Sequence, residues 1–482
     1  MPAQRRRLVL AICCLSLLIV GLDNTIVNVA LPSIGRELHT RVSGLQWVVD
    51  AYTLVIASLL MLSGSTADRL GRRRVFQIGL VLFGLGSLLC SVAPTLGWLI
   101  AFRMMQAVGG SMLNPSALSI IRNVFSDPRE RAQAIGVWGA TIGVSFALGP
   151  VVGGGLVQSA GWRSIFWINV PICVVAIVLA MRFVPESRAP HARRLDPVGQ
   201  LLVIALLASL TYAIIEGPRA GWLSAGILAP FALAAFALPA LIAYERAHPE
   251  PLLEMRFFRS VPFAGASAIA VLSFAALGGF LFLNTLYLQE LRGYSALDAG
   301  LYTLPIAAMT FIFAPVSGRI VGRRGPRVGL VVGGVGIALS AALMTSVTRS
   351  TPIDSLLGAY FVFGVGFGMV NPPITNTAVM GMPAAQAGTA AAVASTSRQV
   401  GQTLGVAVLG AIAAAGAGAV GPGFVSASHT AWWLIAACGA GVLALGLAST
   451  TARARATAGR VAAELGGAPA AAGLPEAEPA GV

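Results

Sequence analysis

The sequence predicts an all-α polytopic membrane protein with fourteen transmembrane helices, which form two six-helix pseudo-repeats and an inserted helix pair. Three observations support this fold class. Of the 482 residues, 56% are hydrophobic and only 10% are charged, whereas a soluble protein is usually about one quarter charged. Apolar segments long enough to cross a bilayer recur along the chain. Arginines are alternately abundant and scarce in the loops that separate these segments.

Fourteen apolar segments have the length of a transmembrane helix. They cover residues 8–31, 45–64, 75–93, 98–121, 132–156, 165–183, 198–215, 223–243, 262–288, 299–321, 328–347, 356–380, 388–415 and 430–448. The alternative is twelve spans, with residues 198–243 as a re-entrant pair outside the membrane core. The predicted domains are an N-terminal six-helix bundle at 1–185, an inserted helix pair with its loops at 186–260, a C-terminal six-helix bundle at 261–450 and a disordered cytoplasmic tail at 451–482.

The loops fall into two sets by charge. All 32 basic residues are arginines, and 24 of them lie in one alternating set of loops, against 6 in the other. Because cytoplasmic loops carry the excess of basic residues, both termini are predicted to be cytoplasmic. Arg5, Arg6 and Arg7 precede the first span, which we expect to be retained rather than removed as a signal peptide. No basic amphipathic helix indicates a nucleic-acid partner, and the five cysteines lack zinc-ligand spacing, so no metal is expected.

The chain contains a weak internal repeat with an offset of 254–260 residues. The repeat relates residues 109–115 to 366–372, residues 64–73 to 318–327, and residues 24–25 to 284–285. It pairs the first six spans with the last six and leaves the seventh and eighth spans as an insert. Two six-helix halves with a site between them are the architecture of alternating-access transporters.

Asp23 lies in the first span, in an otherwise uncharged run from Leu8 to Leu31. A charged and unpaired carboxylate would cost several kcal/mol there, so Asp23 must be protonated, paired with a cation or in contact with an aqueous cavity. Asp50, in the second span, has a similar predicted depth, and two interacting carboxylates would titrate as a coupled pair. We predict that both take part in proton coupling. The alternatives are a structural hydrogen bond for Asp23 and a water-exposed interfacial position for Asp50.

Arg103 is the one arginine well inside the first ten predicted spans. A buried guanidinium must have acceptors, either a carboxylate or backbone carbonyls. We predict that Arg103 neutralises Asp23 in one state and releases it in another, and a fixed structural ion pair is the alternative. Arg398, in the thirteenth span, raises the same question.

A charged motif lies between the second and third spans. Its glycines allow a tight turn, and Asp68 can cap a helix or pair with an arginine, which would lock two helices at the cytoplasmic face. A simple positive loop is the alternative. The motif comprises Gly64, Asp68, Arg69, Gly71, Arg72 and Arg73.

The fifth span carries a dense series of small residues around Pro150. Gly139, Gly143 and Ala147 form a small-residue face at four-residue spacing, which permits close helix packing. Pro150 removes a backbone hydrogen bond and bends the helix. Ordinary glycine packing is the alternative to a specific interface. The motif comprises Gly139, Gly143, Gly149, Pro150, Gly153 and Gly154.

Together these segments resemble the fourteen-helix drug:proton antiporters of the major facilitator superfamily. The resemblance covers about residues 1–450 and is carried by residues 23–32, the Asp68 loop, Arg103 with Gln106 and Gly109, the Gly-Pro-x-x-Gly-Gly pattern at 149–154, and residues 162–171 and 287–289. It implies the major facilitator fold, proton-driven export, and coupling roles for Asp23 and Arg103. The chain departs from the usual pattern at Ala107, where the family has glycine. It also lacks the acids that some members carry in spans ten and thirteen, which argues against dications as preferred substrates.

The predicted function is export of lipophilic or amphipathic small molecules across the inner membrane by a monomer that is driven by the proton-motive force and needs no cofactor. The first alternative is a proton-coupled uptake symporter for a small metabolite on the same fold. The second is a membrane enzyme or receptor, which no Ser/His/Asp set, metal-ligand spacing or phosphate-binding loop supports. The candidate substrate-cavity residues are Asn24, Gln106, Asn114, Phe146, Phe280, Asn284, Asn371 and Arg398.

Overall fold

The computed structural model describes residues 2–189, 195–383, 386–415 and 422–466. All regular secondary structure in this part of the chain is helical, and it includes a 3₁₀ helix at Met255–Arg259 and a π-helix at Tyr287–Leu291. The α-helices, in chain order, are α1 (Ala3–Glu37), α2 (Val42–Leu70), α3 (Arg72–Ser91), α4 (Leu96–Val124), α5 (Pro128–Ala160), α6 (Ser164–Trp167), α7 (Asn169–Phe183), α8 (Pro197–Ala220), α9 (Ala225–Ala247), α10 (Val261–Leu286), α11 (Ala296–Tyr302), α12 (Leu304–Arg324), α13 (Arg327–Met344), α14 (Ile353–Val379), α15 (Ala387–Ala415), α16 (Pro422–Ser449) and α17 (Ala452–Glu464).

The described residues contain twelve helical segments that are long and apolar enough to cross a membrane. The protein is therefore a multi-pass membrane protein. Two further helices of 29 residues, α4 and α15, coincide with the predicted fourth and thirteenth spans. They do not reach the same apolarity, since they carry Arg103 and Gln106 on α4, and Arg398 and Gln402 on α15. The predicted count of fourteen is thus not reached on length and apolarity alone.

The inserted pair consists of two full-length helices. α8 has 24 residues and α9 has 23, so each is about 35 Å long at about 1.5 Å per residue. This length favours two membrane spans over the alternative of a short re-entrant pair. α8 packs against α2 and α15, and α9 packs mainly against α8. The insert therefore lies along one side of the interface between the two halves.

The largest contacts between the halves in the described ranges involve two helices of the first half. α2 packs against α15, and α5 packs against α11 and α12. These contacts are equivalent under the repeat, which relates the second span to the tenth and the fifth to the thirteenth. Within each half, the repeat-related Gly109 and Gly366 allow close helix contact. A Cβ on Gly109 would collide with the backbone of Phe83, and one on Gly366 would lie 2.8 Å from the amide nitrogen of Ile337.

The two halves share a continuous apolar core at one end only. Near the α1–α2 turn, Ile34 and Leu45 of the first half belong to the same buried cluster as Leu286 and Leu409 of the second half. Toward the opposite end, the first half has a separate core, which includes Phe76 and other residues of α1, α2, α3, α4 and α7. The structure is therefore closed at the end that the charge pattern predicts to be outside.

The predicted disorder of the tail is wrong for its first part. Residues 452–464 form α17, and the hydroxyl of Thr451 accepts a hydrogen bond from the amide of Ala454 at its first turn. Small side chains on one face, including Ala458 and Val461, are buried, and the helix packs against α10. The alanines have too little apolar contrast to reveal this face in the sequence. The remainder of the predicted tail, residues 467–482, and the loop arginines Arg193 and Arg194 lie outside the described residues.

Candidate functional site

Asp23 and Arg103 form a buried ion pair. Asp23 lies at the centre of α1 and is 0% exposed, and Arg103 lies on α4 and is 1% exposed. Arg103 Nη1 is 2.5 Å from Asp23 Oδ2. A paired charge avoids most of the cost of an isolated charge in a low-dielectric interior, which explains how both residues remain in the core.

The second oxygen of Asp23 accepts hydrogen bonds from two amides. Gln106 Nε2 donates to Oδ1 at 2.8 Å, and Asn169 Nδ2 donates to the same atom at 3.1 Å. Both amides also contact the hydroxyl of Ser87, at 2.6 Å and 3.4 Å. The carboxylate is therefore held by α4, α7 and α3 together. Gln106, predicted as a cavity residue, serves instead as a direct partner of Asp23.

Arg103 has acceptors besides Asp23. Its Nε donates to the carbonyl oxygen of Val48 at 3.2 Å, and its Nη1 donates to Gln106 Oε1 at 2.7 Å. The guanidinium also lies over the Tyr52 ring, 4.1 Å from the centroid, a geometry that attracts a cation. Arg103 thus keeps neutral partners if Asp23 loses its charge.

The predicted interaction between Asp50 and Asp23 is not present in the structure. It is buried on α2, but its polar neighbour is Thr53, whose hydroxyl is 3.5 Å from Oδ1 and also contacts Thr403 of α15. The reason is helix rotation, since Val48 and Tyr52 face Arg103 and a residue two positions from each lies on the opposite side of the helix. Within the described residues, Asp50 has no ion-pair partner, and its Oδ2 has no hydrogen-bond partner.

Two predicted cavity residues lie at contacts between or within the halves. Asn24 Nδ2 donates to Gln402 Oε1 at 3.2 Å, and Gln402 Nε2 donates back to Asn24 Oδ1 at 2.9 Å. Arg398, one turn before Gln402, donates to the hydroxyl of Thr375 at 2.5 Å and lies over the ring of Phe274. Asn24 therefore joins the two halves, and Arg398 has neutral partners in the second half.

The structure separates the remaining cavity candidates. Phe146 lines a narrow cavity of about 20 Å³ between α1, α5, α10 and α12. Phe280 is fully buried against Phe363 and Trp432. Asn284 is also buried, and its side-chain oxygen accepts a hydrogen bond from Tyr360. Asn114 and Asn371 are half-buried at the matching positions of α4 and α14. An apolar helix offers no sequence signal for the side that faces a cavity, so the burial of Phe280 could not be predicted.

The charged motif forms the turn between α2 and α3. Asp68 Oδ1 accepts hydrogen bonds from Arg72 Nε and Nη2 at 3.0 and 2.9 Å. Gly71 ends α2 with a φ of 116°, which favours glycine. The carboxylate of Glu186, which follows α7, accepts a hydrogen bond from the Arg73 amide at 3.1 Å. Gly64 and Arg69 flank this turn on α2.

The small residues of α5 make two different contacts. Gly149 and Gly153 face α1, where added Cβ atoms would collide with Thr25 and lie 2.5 Å from Ile26 Cγ1. Gly154 and Pro150 face α11 of the second half, where a Cβ on Gly154 would lie 2.5 Å from the Ala296 oxygen. A Cβ on Gly143 would lie 3.0 Å from Phe311, and one on Gly139 would meet no atom within 4 Å. Close packing is thus concentrated at 149–154, and Gly139 does not share it.

Comparison with known proteins identifies the family. Residues 13–406 match the sequence profile of the Major Facilitator Superfamily. The chain belongs to this superfamily. The resemblance seen in the sequence is therefore confirmed, and the superfamily points to a transporter rather than an enzyme.

Curated members of the superfamily are similar over most of the chain. The multidrug resistance protein Stp of Mycobacterium tuberculosis (strain CDC 1551 / Oshkosh) is 38% identical over 402 residues, which are 83% of this chain and 74% of that protein. The methylenomycin A resistance protein of Streptomyces coelicolor is 36% identical over 429 residues, 86% of this chain and 89% of that protein. The multidrug efflux pump LfrA of Mycolicibacterium smegmatis is 34% identical over 403 residues, 84% and 80% of the two chains.

Solved structures share the superfamily fold. A bacterial homologue of the human lysosomal transporter Spinster, in an inward-facing and occupied conformation, has a TM-score of 0.67 and 17% identity over 96% of this chain and 98% of that one. The nucleoside transporter NupG has a TM-score of 0.63 and 15% identity over 92% and 100%. At these identities the likeness extends to the fold alone.

Asn169, Ser87 and Glu186 are among the residues that were not predicted from the sequence. Asn169 lies in the segment 162–171, which already resembled the superfamily, so its amide could have been proposed as a partner. Ser87 is one of many serines in apolar helices and carries no distinguishing signal. Glu186 is an acid directly after the sixth span, and its charge is opposite to that of the arginine-rich turn. Its position there was a usable signal for an ion pair.

We expect Arg103→Lys to lose most export although the positive charge is retained. The guanidinium contacts Asp23, Gln106 and the Val48 carbonyl while it stacks on Tyr52, and a compact ammonium cannot reproduce this planar set of donors. Export and membrane abundance would be measured together. Arg163→Lys is the matched control, because Arg163 pairs with the half-exposed Glu37 and exposed pairs contribute about 0–1 kcal/mol. Wild-type export by Arg103→Lys would show that the guanidinium geometry is not required.

Proposed function

We propose that this member of the superfamily is a proton-coupled antiporter that exports lipophilic or amphipathic small molecules, such as drugs, antibiotics and dyes, across the cytoplasmic membrane. The relatives named as multidrug resistance, methylenomycin A resistance and multidrug efflux proteins support export. The proposal includes fourteen membrane spans, with α4 and α15 crossing as part of the bundle, both termini in the cytoplasm, a monomeric state and no cofactor.

The observation that carries proton coupling is the buried Asp23 carboxylate with partners for two charge states. When Asp23 is ionised, Arg103 and two amides compensate its charge. When it is protonated, Arg103 retains the Gln106 oxygen, the Val48 carbonyl and the Tyr52 ring. In both states Arg103 keeps hydrogen-bond acceptors, which lowers the cost of moving a proton on and off Asp23 in a low-dielectric core.

The contacts between the halves support alternating access. Between the halves, Asn24 and Gln402 exchange hydrogen bonds, Gln46 donates to the Ala407 carbonyl at 2.8 Å, and Gln289 donates to the Val29 carbonyl at 2.9 Å. Each such bond has a net value of about 1 kcal/mol, so the set is strong enough to hold the end closed and weak enough to open. Asn24 directly follows Asp23, so a change in the charge of Asp23 acts beside this closure.

The energy source is adequate for the proposed cycle. One elementary charge that moves through 100 mV provides about 2.3 kcal/mol, which corresponds to a gradient of roughly fiftyfold. The cavity beside Phe146, at about 20 Å³, is too small for a drug-sized molecule. This cavity alone therefore does not hold such a substrate.

The test is transport in inside-out membrane vesicles energised by respiration. We expect substrates from a panel of dyes and antibiotics to accumulate in the vesicles, to release stored protons as they enter, and to stop accumulating when a protonophore is added. A proton-coupled uptake symporter would instead move substrate out of such vesicles together with protons. Accumulation that persists after collapse of the proton gradient would contradict antiport.

A further inference from the structure

Two buried carboxylates meet at the end of the inserted helix pair, away from Asp23. Asp196 precedes α8 and is 3% exposed, and Glu245 lies in the last turn of α9 and is 2% exposed. Each has one oxygen with a partner. Asp196 Oδ1 accepts from the Gly199 amide at 2.8 Å and the Tyr244 hydroxyl at 3.0 Å, and Glu245 Oε2 accepts from the Leu253 amide at 3.1 Å.

The other two oxygens have no hydrogen-bond partner and point to the same place. Asp196 Oδ2 and Glu245 Oε1 are both buried without a partner. A Cβ on Gly199 would lie 2.5 Å from the first oxygen and 2.7 Å from the second, so the oxygens are no farther apart than the sum of these distances. Two ionised carboxylates in this position would repel each other in a low-dielectric setting.

The charged groups around the pair form no ion pair with it within the described residues. On the α9 side, Tyr244 donates to Asp196, and Arg246 and His248 follow Glu245 in sequence. On the 3₁₀ helix, Arg256 pairs with Glu254 at 2.8 Å and Arg259 pairs with Glu464 of α17 at 3.3 Å. None of these forms an ion pair with Asp196 or Glu245 in the described part of the chain.

The helices packed against α8 supply no counter-charge in the described ranges either. From α2, Ser58 accepts a hydrogen bond from Gln200 at 2.7 Å and Trp47 donates to Glu216 at 2.9 Å, and Asp68 is paired with Arg72. From α15, Arg398 contacts neutral hydroxyls. A shared proton is the simplest ligand that removes the repulsion, because a carboxylic acid can donate to the facing carboxylate. The described residues contain no group of three or more His, Cys, Asp or Glu arranged to hold a metal ion.

We propose that Asp196 and Glu245 form a proton-binding site, separate from Asp23, in which one proton bridges Asp196 Oδ2 and Glu245 Oε1. A cavity of about 580 Å³ lies beside Glu245 and is also lined by His248 and the 3₁₀ helix. Loss of the proton leaves two facing carboxylates that push the start of α8 away from the end of α9. Since α8 packs against α2 and α15, the pair makes the interface between the halves sensitive to pH at this end of the protein.

The first test measures the thermal midpoint of the purified protein against pH. A site that binds a proton more tightly when folded than when unfolded loses its stabilisation as pH rises. We therefore expect the midpoint of the wild type to decrease as the pH rises from about 5 to about 8. The decrease should be smaller in Glu245→Gln and in Asp196→Asn, because their amide groups donate a hydrogen bond without binding a titratable proton. Asp196→Asn also keeps the helix cap, because Asn caps about as well as Asp. The same slope in wild type and both variants would overturn the proposal.

Two further variants distinguish the proton from other occupants. Gly199→Ala places a methyl group within 2.7 Å of both oxygens, and we expect it to lower the midpoint at low pH. Gly226→Ala, with no atom within 4 Å of the new Cβ, is the control. Infrared spectroscopy should show a protonated-carboxyl band that Glu245→Gln removes in an Asp23→Asn background. Retention of that band, or stabilisation by added Na⁺ or Mg²⁺ at constant pH, would overturn the shared proton. Failure of these tests leaves the role of Asp23 unaffected.

Discussion

Replacement of Asp23 by Asn is expected to abolish export and drug resistance while the abundance of the protein in the membrane stays close to that of the wild type. Asn has nearly the shape of Asp and can still accept hydrogen bonds from Arg103, which also keeps Gln106 and the Val48 carbonyl. It cannot bind and release a proton. The variant would be compared with the wild type for dye efflux, for antibiotic resistance and for membrane abundance.

Glu37→Gln is the matched control for Asp23→Asn. It makes the same acid-to-amide change on the same helix, but Glu37 is half-exposed and pairs with Arg163 at the closed end. Because exposed pairs contribute about 0–1 kcal/mol, we expect efflux near the wild-type level. Full efflux by Asp23→Asn would remove Asp23 from the coupling mechanism. Loss of abundance alone would indicate that the ion pair serves stability.

Gly154→Ala is expected to lose most export, because its single added methyl group enters the interface between the halves. The Cβ would lie 2.5 Å from the Ala296 oxygen and 2.7 Å from Leu297 Cα, so α5 must move away from α11. Overpacking of this kind costs about 1–3 kcal/mol. The measurements are efflux and the thermal midpoint of the purified protein.

The adjacent glycine provides a close control. A Cβ on Gly155 would meet no atom within 4 Å, and Gly→Ala in a helix interior favours the helix by about 1 kcal/mol at either position. The difference between Gly155→Ala and Gly154→Ala therefore isolates the collision with α11. Equal efflux by the two variants would show that close contact at this interface is not needed for transport.

The Asp23–Arg103 pair could be predicted from the sequence because a bilayer leaves a buried charge few options. Ser87 could not be predicted in the same way, since burial of a neutral hydroxyl in a helix costs little free energy and its neighbours are unknown from the sequence. The similar predicted depth of Asp50 and Asp23 suggested that they interact, whereas in the structure Asp50 lies on the side of α2 that faces α15. Depth follows from helix rise, but the direction of a side chain depends on how the helix is rotated against its neighbours.

The sequence by itself determines the membrane class, the position of most spans, the repeat and the motifs of the superfamily. The reason is that the bilayer imposes length, apolarity and charge rules that act along the chain. The sequence does not determine which side of each helix faces a partner. Lipid and protein core are almost equally apolar, so the hydrophobic pattern leaves the buried Phe280, the Asn24–Gln402 contact and the Asp196–Glu245 pair unmarked. Only the packing of distant helices brings these groups together.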